Sequence, residues 1–232
     1  MSKIEVDKVT PQSGTSLIIG DSGDTINIVG TLQNNGSAVE VDSVTFKEGG
    51  TNFTNSLLVG TDSTGTLDSA TGNTGVGVGV FSALTSGDSN VAVGFEALTT
   101  DVNGRSSTAI GTQALKTQNY GSSTHSYNTA VGMQSGMSVT TGIENTLIGG
   151  LAGDALTDAD SNVAIGLYAL TSDTLGSRAV AIGRGALSTQ NFTTATDTYN
   201  VAVGTNAGLS ITTGVRNTII GGHAGDALTT GS

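Results

Sequence analysis

The sequence contains no cysteine, no tryptophan and only one proline, and aromatic residues make up only 4% of its 232 positions. The absence of cysteine excludes disulfides and thiolate chemistry. The scarcity of aromatic side chains excludes the thick core of a conventional domain, because these side chains bury the most apolar surface per residue. Any core must therefore be thin and built from Ala, Val, Ile and Leu.

Charged residues are also scarce, at 12%, which argues against an ordinary disordered chain. Eight Lys and Arg against 19 Asp and Glu give a formal charge of −11. Such a chain repels phosphate backbones, so we expect no nucleic-acid partner. The first residues, MSKIEVDKVT, contain no apolar signal-peptide core, and no apolar run is long enough to cross a bilayer. We therefore expect no membrane insertion.

Glycine is abundant, with 35 residues, and it recurs at regular positions. A small apolar triplet closed by glycine appears as NVAVG at 90–94 and as NVAIG at 162–166. The closing glycines are Gly77, Gly94, Gly111, Gly132, Gly149, Gly166, Gly183, Gly204 and Gly221. Their 17-residue spacing is broken by two 21-residue steps, and residues 90–160 and 162–232 are identical at 39 of 71 positions. The pattern is a tandem duplication of a 72-residue block of four units.

A 17-residue unit is too short for a helix pair, and its glycine content disfavours long helices. The alternation in NVAVG predicts one short strand, and the segment after the glycine, such as FEAL, predicts a second. These units predict an all-β fold, a parallel β-solenoid of about nine stacked coils. In this interpretation Val91 and Val93 face the core. The opposite strand face, which is open to another chain, is lined by Ala92, Ala109, Ala130, Ala164, Ala181 and Ala202.

Residues 1–55 lack the 17-residue period. Alternating segments such as IEVDKV and VEVDSVTF, separated by turn formers such as Asn34-Asn35-Gly36, predict less regular strands there. Gly60 lies one 17-residue period before Gly77, so the regular stacking is expected to begin near it. We predict an N-terminal β module over 1–55, which caps the solenoid or attaches it to a larger particle, and a repeat shaft over 56–232.

The units NTAVGMQSG, NVAVGFEAL and NTIIGGHAG resemble the Asn-x-Ala-Val/Ile-Gly repeats of the head domains of trimeric autotransporter adhesins and of phage tail fibres. The resemblance covers about 73–232. It implies a left-handed parallel β-roll and a parallel homotrimer in which three chains pack side by side. The 21-residue coils depart from the usual adhesin pattern, and neither an export signal nor a C-terminal membrane anchor is visible. The absence of a visible export signal and membrane anchor favours the phage proteins, because virion proteins are made and assembled in the host cytoplasm.

From this resemblance we expect a non-enzymatic structural fibre protein of a phage virion, assembled in the host cytoplasm and extracellular in the mature particle. Its expected partners are other virion proteins of the tail or adaptor, through the N-terminal module, and a host-surface glycan or protein. Two alternatives remain open. A bacterial cell-surface trimeric adhesin would contain the same repeats. An ice-binding solenoid would need one Thr pair on every coil, whereas Thr140-Thr141 recurs only as Thr212-Thr213.

Side chains suited to catalysis or metal binding are few. The two histidines, His125 and His223, are replaced by other residues at the equivalent positions of the other block, and they lack metal-ligand spacing. Neither Glu96 nor Glu144 is retained in the second block, so no carboxylate pair for glycan cleavage is repeated. We expect no catalytic residue, no metal and no cofactor.

The two 21-residue coils each contain two aromatic residues at equivalent positions, Tyr120 with Tyr127 and Phe192 with Tyr199. The four extra residues of each coil are expected to bulge outward. Aromatic rings near Asn, Gln and Thr can stack on a sugar and hydrogen-bond to it, so these loops are candidate receptor contacts. Alternatively, the rings pack over an exposed seam or between protomers.

The closing glycines are predicted to turn corners with backbone angles that are barred to other residues. Gly166→Val is then expected to weaken the rod far more than Gly87→Val, because Gly87 lies in the turn run TSGDSN. Val93→Asp is expected to be equally harmful, because it would bury an unpaired charge in the core.

Overall fold

The computed structural model describes residues 39–41, 44–48, 51–60 and 64–231. All regular structure in these residues is β, and they form a parallel β-solenoid of about ten stacked turns. The predicted fold class is therefore confirmed. Most of the predicted N-terminal module, 1–55, lies outside the described residues.

The strands are short, and most contain two to four residues. They are β1 (Val39–Val41), β2 (Val44–Glu48), β3 (Phe53–Thr54), β4 (Leu57–Gly60), β5 (Ala70–Thr71), β6 (Thr74–Gly77), β7 (Val91–Val93), β8 (Gly104–Arg105), β9 (Thr108–Ile110), β10 (Thr124–His125), β11 (Thr129–Val131), β12 (Thr146–Ile148), β13 (Val163–Ile165), β14 (Gly176–Ser177), β15 (Val180–Ile182), β16 (Thr196–Asp197), β17 (Val201–Val203) and β18 (Thr218–Ile220).

One 12-stranded sheet runs through the solenoid in the order β1-β2-β4-β6-β7-β9-β11-β12-β13-β15-β17-β18. The antiparallel strands β1 and β2 lead into β4, and the next nine strands add in parallel. Equivalent residues of neighbouring coils pair, so that Ala92 lies opposite Ala109 and Gly60 lies opposite Gly77. The parallel ladder therefore begins at Leu57–Gly60, one turn before the first of the nine glycines counted in the sequence.

The prediction of a second strand directly after each glycine is wrong. In the FEAL segment the chain forms a turn, because Glu96 and Leu98 adopt left-handed φ angles of 54° and 48°. The segment still bonds to the neighbouring coil, since the Glu96 amide donates to the Val78 carbonyl at 2.9 Å. Second strands occur elsewhere in the coil, as the parallel pairs β3–β5, β8–β10 and β14–β16.

The predicted orientation of the strands is also wrong. In the three-residue strands from β7 to β18 the middle residue points inward, so Ala92 and its five alanine equivalents are fully buried, while Val91 and Val93 lie on the outer face and are only half-buried. The narrow interior explains this arrangement. Leucines of the turn segment, such as Leu98, fill the space opposite the strand, and only a small strand residue fits against them.

Two kinds of interior layer alternate along the solenoid. Four coils place Leu four residues after the closing glycine and a polar residue seven after it: Leu98 with Asp101, Leu115 with Gln118, Leu170 with Asp173, and Leu187 with Gln190. The coil of Gly77 has Phe81 and Leu84 at these positions, whereas four further coils reverse the pattern with Gly and an aliphatic residue: Gly136 with Val139, Gly153 with Leu156, Gly208 with Ile211, and Gly225 with Leu228. The exchange conserves volume, since a Cβ on Gly153 would lie 2.8 Å from both Leu147 and Leu156.

Candidate interaction surface

The outer face of the parallel sheet carries a continuous column of β-branched side chains. Each is the last residue before a closing glycine, and the register places each beside its equivalent in the next coil. We call this set the outer apolar column: Val59, Val76, Val93, Ile110, Val131, Ile148, Ile165, Ile182, Val203 and Ile220. Its members are half-buried or exposed, with 40% exposure at Val76 and 37% at Ile148. The column is an apolar surface that nothing in the described part of the chain covers.

A second row on the same face lies two residues earlier in each coil and contains only Leu, Val and Thr. Its members are Leu57, Thr74, Val91, Thr108, Thr129, Thr146, Val163, Val180, Val201 and Thr218. Beyond the glycines, four large apolar side chains are also exposed, namely Val78, Phe95, Met133 and Leu167. The apolar surface is therefore wider than one side chain.

The closing glycines keep this face regular. All nine predicted positions have φ between 127° and 140°, a region that side chains with a Cβ rarely adopt. The coils also approach closely here, because a Cβ on Gly94 would lie 2.5 Å from the Gly111 carbonyl oxygen. Gly87, which the sequence suggests is permissive, is also crowded. A Cβ there would lie 2.5 Å from the Gly104 carbonyl oxygen.

The asparagine four residues before most closing glycines forms an internal ladder of hydrogen bonds, a role that the sequence analysis missed. The Asn145 side-chain oxygen accepts the Asn162 amide at 3.0 Å, and the Asn145 Nδ2 donates to the Ala159 carbonyl at 2.7 Å. Equivalent bonds link Asn73 to Asn90 and Asn200 to Asn217. The recurrence of Asn before most of the apolar triplets is the signal that could have identified it, since a buried amide must satisfy its hydrogen bonds.

This ladder is interrupted at the start of each 21-residue step, because Ser107 and Ala179 stand there in place of Asn. Glutamines restore the connection. Asn128 Nδ2 donates to Gln118 Oε1 at 2.9 Å, and Gln118 in turn donates to the buried Asp101 at 2.5 Å. Burial raises the pKa of the Asp101 carboxyl, while hydrogen bonds from Gln118 and nearby backbone amides oppose the shift. The Asp101 carboxylate therefore has a structural role inside the solenoid, where it accepts hydrogen bonds.

The four aromatic residues of the long coils divide into two pairs. Tyr120 and Phe192 are buried, with 4% and 7% exposure, so they pack inside the coil rather than facing a receptor. The Tyr120 hydroxyl donates to the Gly142 carbonyl at 2.7 Å, and burial raises the pKa of this phenol. Tyr127 and Tyr199 are exposed, at 58% and 48%. Only these two can contribute to a receptor-contact loop.

The exposed tyrosines have different neighbours in the two blocks. His125 stacks on Tyr127 with ring centroids 5.4 Å apart, and its Nδ1 lies 3.1 Å from the Ser106 hydroxyl. In the second block, Arg178 pairs with Asp197 and lies over the Tyr199 ring, 5.8 Å from its centroid. The Coulombic attraction of Asp197 raises the pKa of Arg178. Both loops are already occupied by their own side-chain contacts.

Two further carboxyl groups, those of Glu96 and Asp154, are engaged by side chains of neighbouring coils. Glu96 accepts from Lys116, and this hydrogen bond lowers the pKa of the Glu96 carboxyl. Asp154 accepts the Thr171 hydroxyl at 2.5 Å, and burial raises the pKa of its carboxyl. Across these residues there is no group of three His, Asp or Glu side chains suited to a metal ion. The described residues also contain no helix with the length and apolarity that a membrane span requires.

Comparison of the chain with protein-family models, curated proteins and solved structures finds no match. No relative therefore names a partner or a ligand. Of the surfaces described above, the outer apolar column is the one whose composition most requires a partner, because it is apolar along the whole parallel ladder.

Proposed function

We propose that this chain is a structural fibre protein of a phage virion, a non-enzymatic homotrimeric rod that mediates contact with the host surface. The observation that carries the proposal is the outer apolar column, whose ten Val and Ile side chains lie on an open sheet face. Soluble monomers rarely leave such a continuous apolar surface in water. We expect other copies of the same chain to bury this column.

The repeat geometry favours parallel self-association. Every coil presents the same two rows of side chains at the same height, so copies in parallel register match Val and Ile rows along the full ladder. Closed rotational symmetry buries such a column on every chain without leaving a free edge. The resemblance of the repeats to trimeric adhesin heads and phage fibres supplies the number three.

The role in the virion rests on the same resemblance and on the absence of assembled chemistry in the described residues. A stiff stack of short strands, held by the asparagine ladder and the glycine contacts, suits a spacer better than a catalyst. In the proposal the N-terminal residues 1–55 attach the rod to tail or adaptor proteins, and the shaft holds a contact surface away from the particle. The Thr140-Thr141 pair recurs only once in each block, as Thr212-Thr213, which disfavours an ice-binding face.

Light scattering at micromolar concentration tests the assembly. The proposal predicts a particle with three times the monomer mass, and a mass of 22.9 kDa, that of the single chain, would contradict it. Labelled antibodies against the chain then test the location. Labelling of tail appendages on purified particles supports the virion role, whereas labelling confined to the bacterial surface would favour a cellular adhesin.

A further inference from the structure

We infer that the second block contains a binding groove for one acidic sugar unit of a glycan, a carbohydrate bearing a carboxylate. The groove has a volume of about 380 Å³ and is lined by Tyr168, Thr171, Arg184, Gly185, Ser188, Asn206 and Leu209. These residues follow the closing glycines of three consecutive coils, whereas the outer apolar column precedes those glycines. The inference deepens the proposed host-surface contact and rests on it.

The first block provides an internal comparison for this groove, because the same positions there are filled. Lys116 Nζ donates to Glu96 Oε2 at 2.7 Å, and Gln113 Nε2 donates to the same oxygen at 2.9 Å. Gln134 Nε2 then donates to Gln113 Oε1 at 2.9 Å. The four side chains satisfy one another and leave no unpaired charge for a ligand.

The second block replaces this network residue by residue. Tyr168 stands where the first block has Glu96, Gly185 replaces Gln113, and Ser188 replaces Lys116. The loss of two long side chains opens the groove. Gly185 also keeps the space beside Asn206 open, because a Cβ at this position would lie 2.5 Å from the Asn206 side-chain oxygen.

Arg184 determines the charge of the proposed ligand. It replaces Thr112, it is exposed, and its guanidinium has no hydrogen-bond or ion-pair partner among the described residues. The cations Arg105, Lys116 and Arg178 are each paired with a carboxylate. A free guanidinium beside a groove is suited to bidentate recognition of a carboxylate.

The remaining lining residues suit a sugar ring. The Tyr168 side chain is 42% exposed and offers a ring face with a hydroxyl at its end. The Asn206 amide and the Ser188 hydroxyl can bond to sugar hydroxyls, and Leu209 provides apolar contact. An aromatic face, a few polar groups and one cation together fit a single acidic monosaccharide rather than a peptide strand or a nucleic acid.

Saturation-transfer NMR on the full chain tests the inference with methyl glucuronide, methyl galacturonide and N-acetylneuraminic acid, and with methyl glucoside as a neutral probe. A single shallow site predicts a Kd on the order of 1 mM for at least one acidic probe. Arg184→Gln should weaken that binding by about tenfold, the size expected for loss of a charged hydrogen bond. Arg216→Gln removes another exposed and unpaired arginine and should leave binding unchanged.

A triple variant, Tyr168→Glu with Gly185→Gln and Ser188→Lys, places the first block's network in the groove and should abolish binding while the thermal melt stays cooperative. The inference is overturned if no acidic probe binds, if methyl glucoside binds equally well, or if Arg184→Gln and Arg216→Gln behave alike. Light scattering of the same samples keeps the two questions separate, because a trimer without sugar binding would leave the proposed rod intact.

Discussion

Each ladder strand places its middle side chain inside the solenoid and its two flanking side chains outside, and both faces are apolar. The inner face is made mostly of alanine, as at Ala92 and Ala164, and every member from Ala92 to Ala202 is fully buried. The outer face is made of larger Val and Ile, such as Ile165 and Ile110, and it remains half-buried or exposed. Beside the alanines, the larger apolar residues of the strand are thus the less covered ones, whereas Leu147 is buried on the inner face, where Gly136 and Gly153 leave room for it.

The difference between the faces shows that available volume, not hydrophobicity, decides which residues point inward. A 17-residue coil encloses only one layer of side chains, and the turn leucines already fill it. The outer residues are therefore free to serve contacts between chains. Substitutions on the two faces should accordingly damage different properties, folding on one and assembly on the other.

The largest effect is expected for Ala164→Asp. The new carboxylate would be fully buried with no partner, which should destabilise folding by more than about 3 kcal/mol and abolish the cooperative melt. The neighbouring Ile165→Asp is the matched control. Its side chain lies on the outer face, so the chain should remain folded by circular dichroism but should no longer form the proposed trimer in light scattering. Unfolding by both substitutions would contradict the assignment of the faces.

Gly166→Val is expected to have the next largest effect on stability. The residue has φ 132°, and a Cβ there would lie 2.6 Å from the Gly183 carbonyl group, so we expect a loss of about 3 kcal/mol or more in the free energy of unfolding. Gly121→Val is a better control than Gly87→Val, because a Cβ on Gly121 meets nothing within 4 Å. Chemical denaturation should give a clearly lower free energy of unfolding for Gly166→Val than for Gly121→Val. Equal losses would contradict a stabilising role for the close glycine contacts.

Asn162→Ala should have an intermediate effect. It leaves the buried Ala179 amide and Gly176 carbonyl without their partner, which costs about 2 kcal/mol or more. Ser161→Ala removes only an exposed hydrogen bond to Glu144 and should change stability by less than about 0.5 kcal/mol. If the two variants had the same melting temperature, the asparagine ladder would not be a source of stability.

The smallest effect concerns pH. Because burial raises the pKa of the Asp101 carboxyl in the folded state, its stabilising contribution is present below the unfolded-state pKa and is lost as pH rises through the folded-state value. The melting temperature of the native chain, relative to Asp101→Asn, should therefore fall as the pH rises from below the ordinary aspartate pKa through the raised folded-state value. A difference that rises over this interval would contradict the assigned direction.

The sequence predicted the fold because a 17-residue period with a closing glycine permits few architectures. It did not predict the direction of the strands, since both faces alternate apolar residues and period-two patterning cannot distinguish them. The buried positions of Tyr120 and Phe192 were equally inaccessible, because a bulge of four residues can place an aromatic ring on either side. The groove at Tyr168 and Arg184 becomes visible only when the two blocks are compared as structures.

Cross-linking through the outer apolar column shows whether this face joins copies of the chain, and the chain has no cysteine of its own to interfere. Ile148→Cys introduces one thiol in the column, and Ser122→Cys introduces one in the exposed bulge of a long coil. With a short bismaleimide, we expect covalent dimers on a denaturing gel for Ile148→Cys and monomers for Ser122→Cys. Monomers for both, from chains that remain folded, would show that this face does not join one copy of the chain to another.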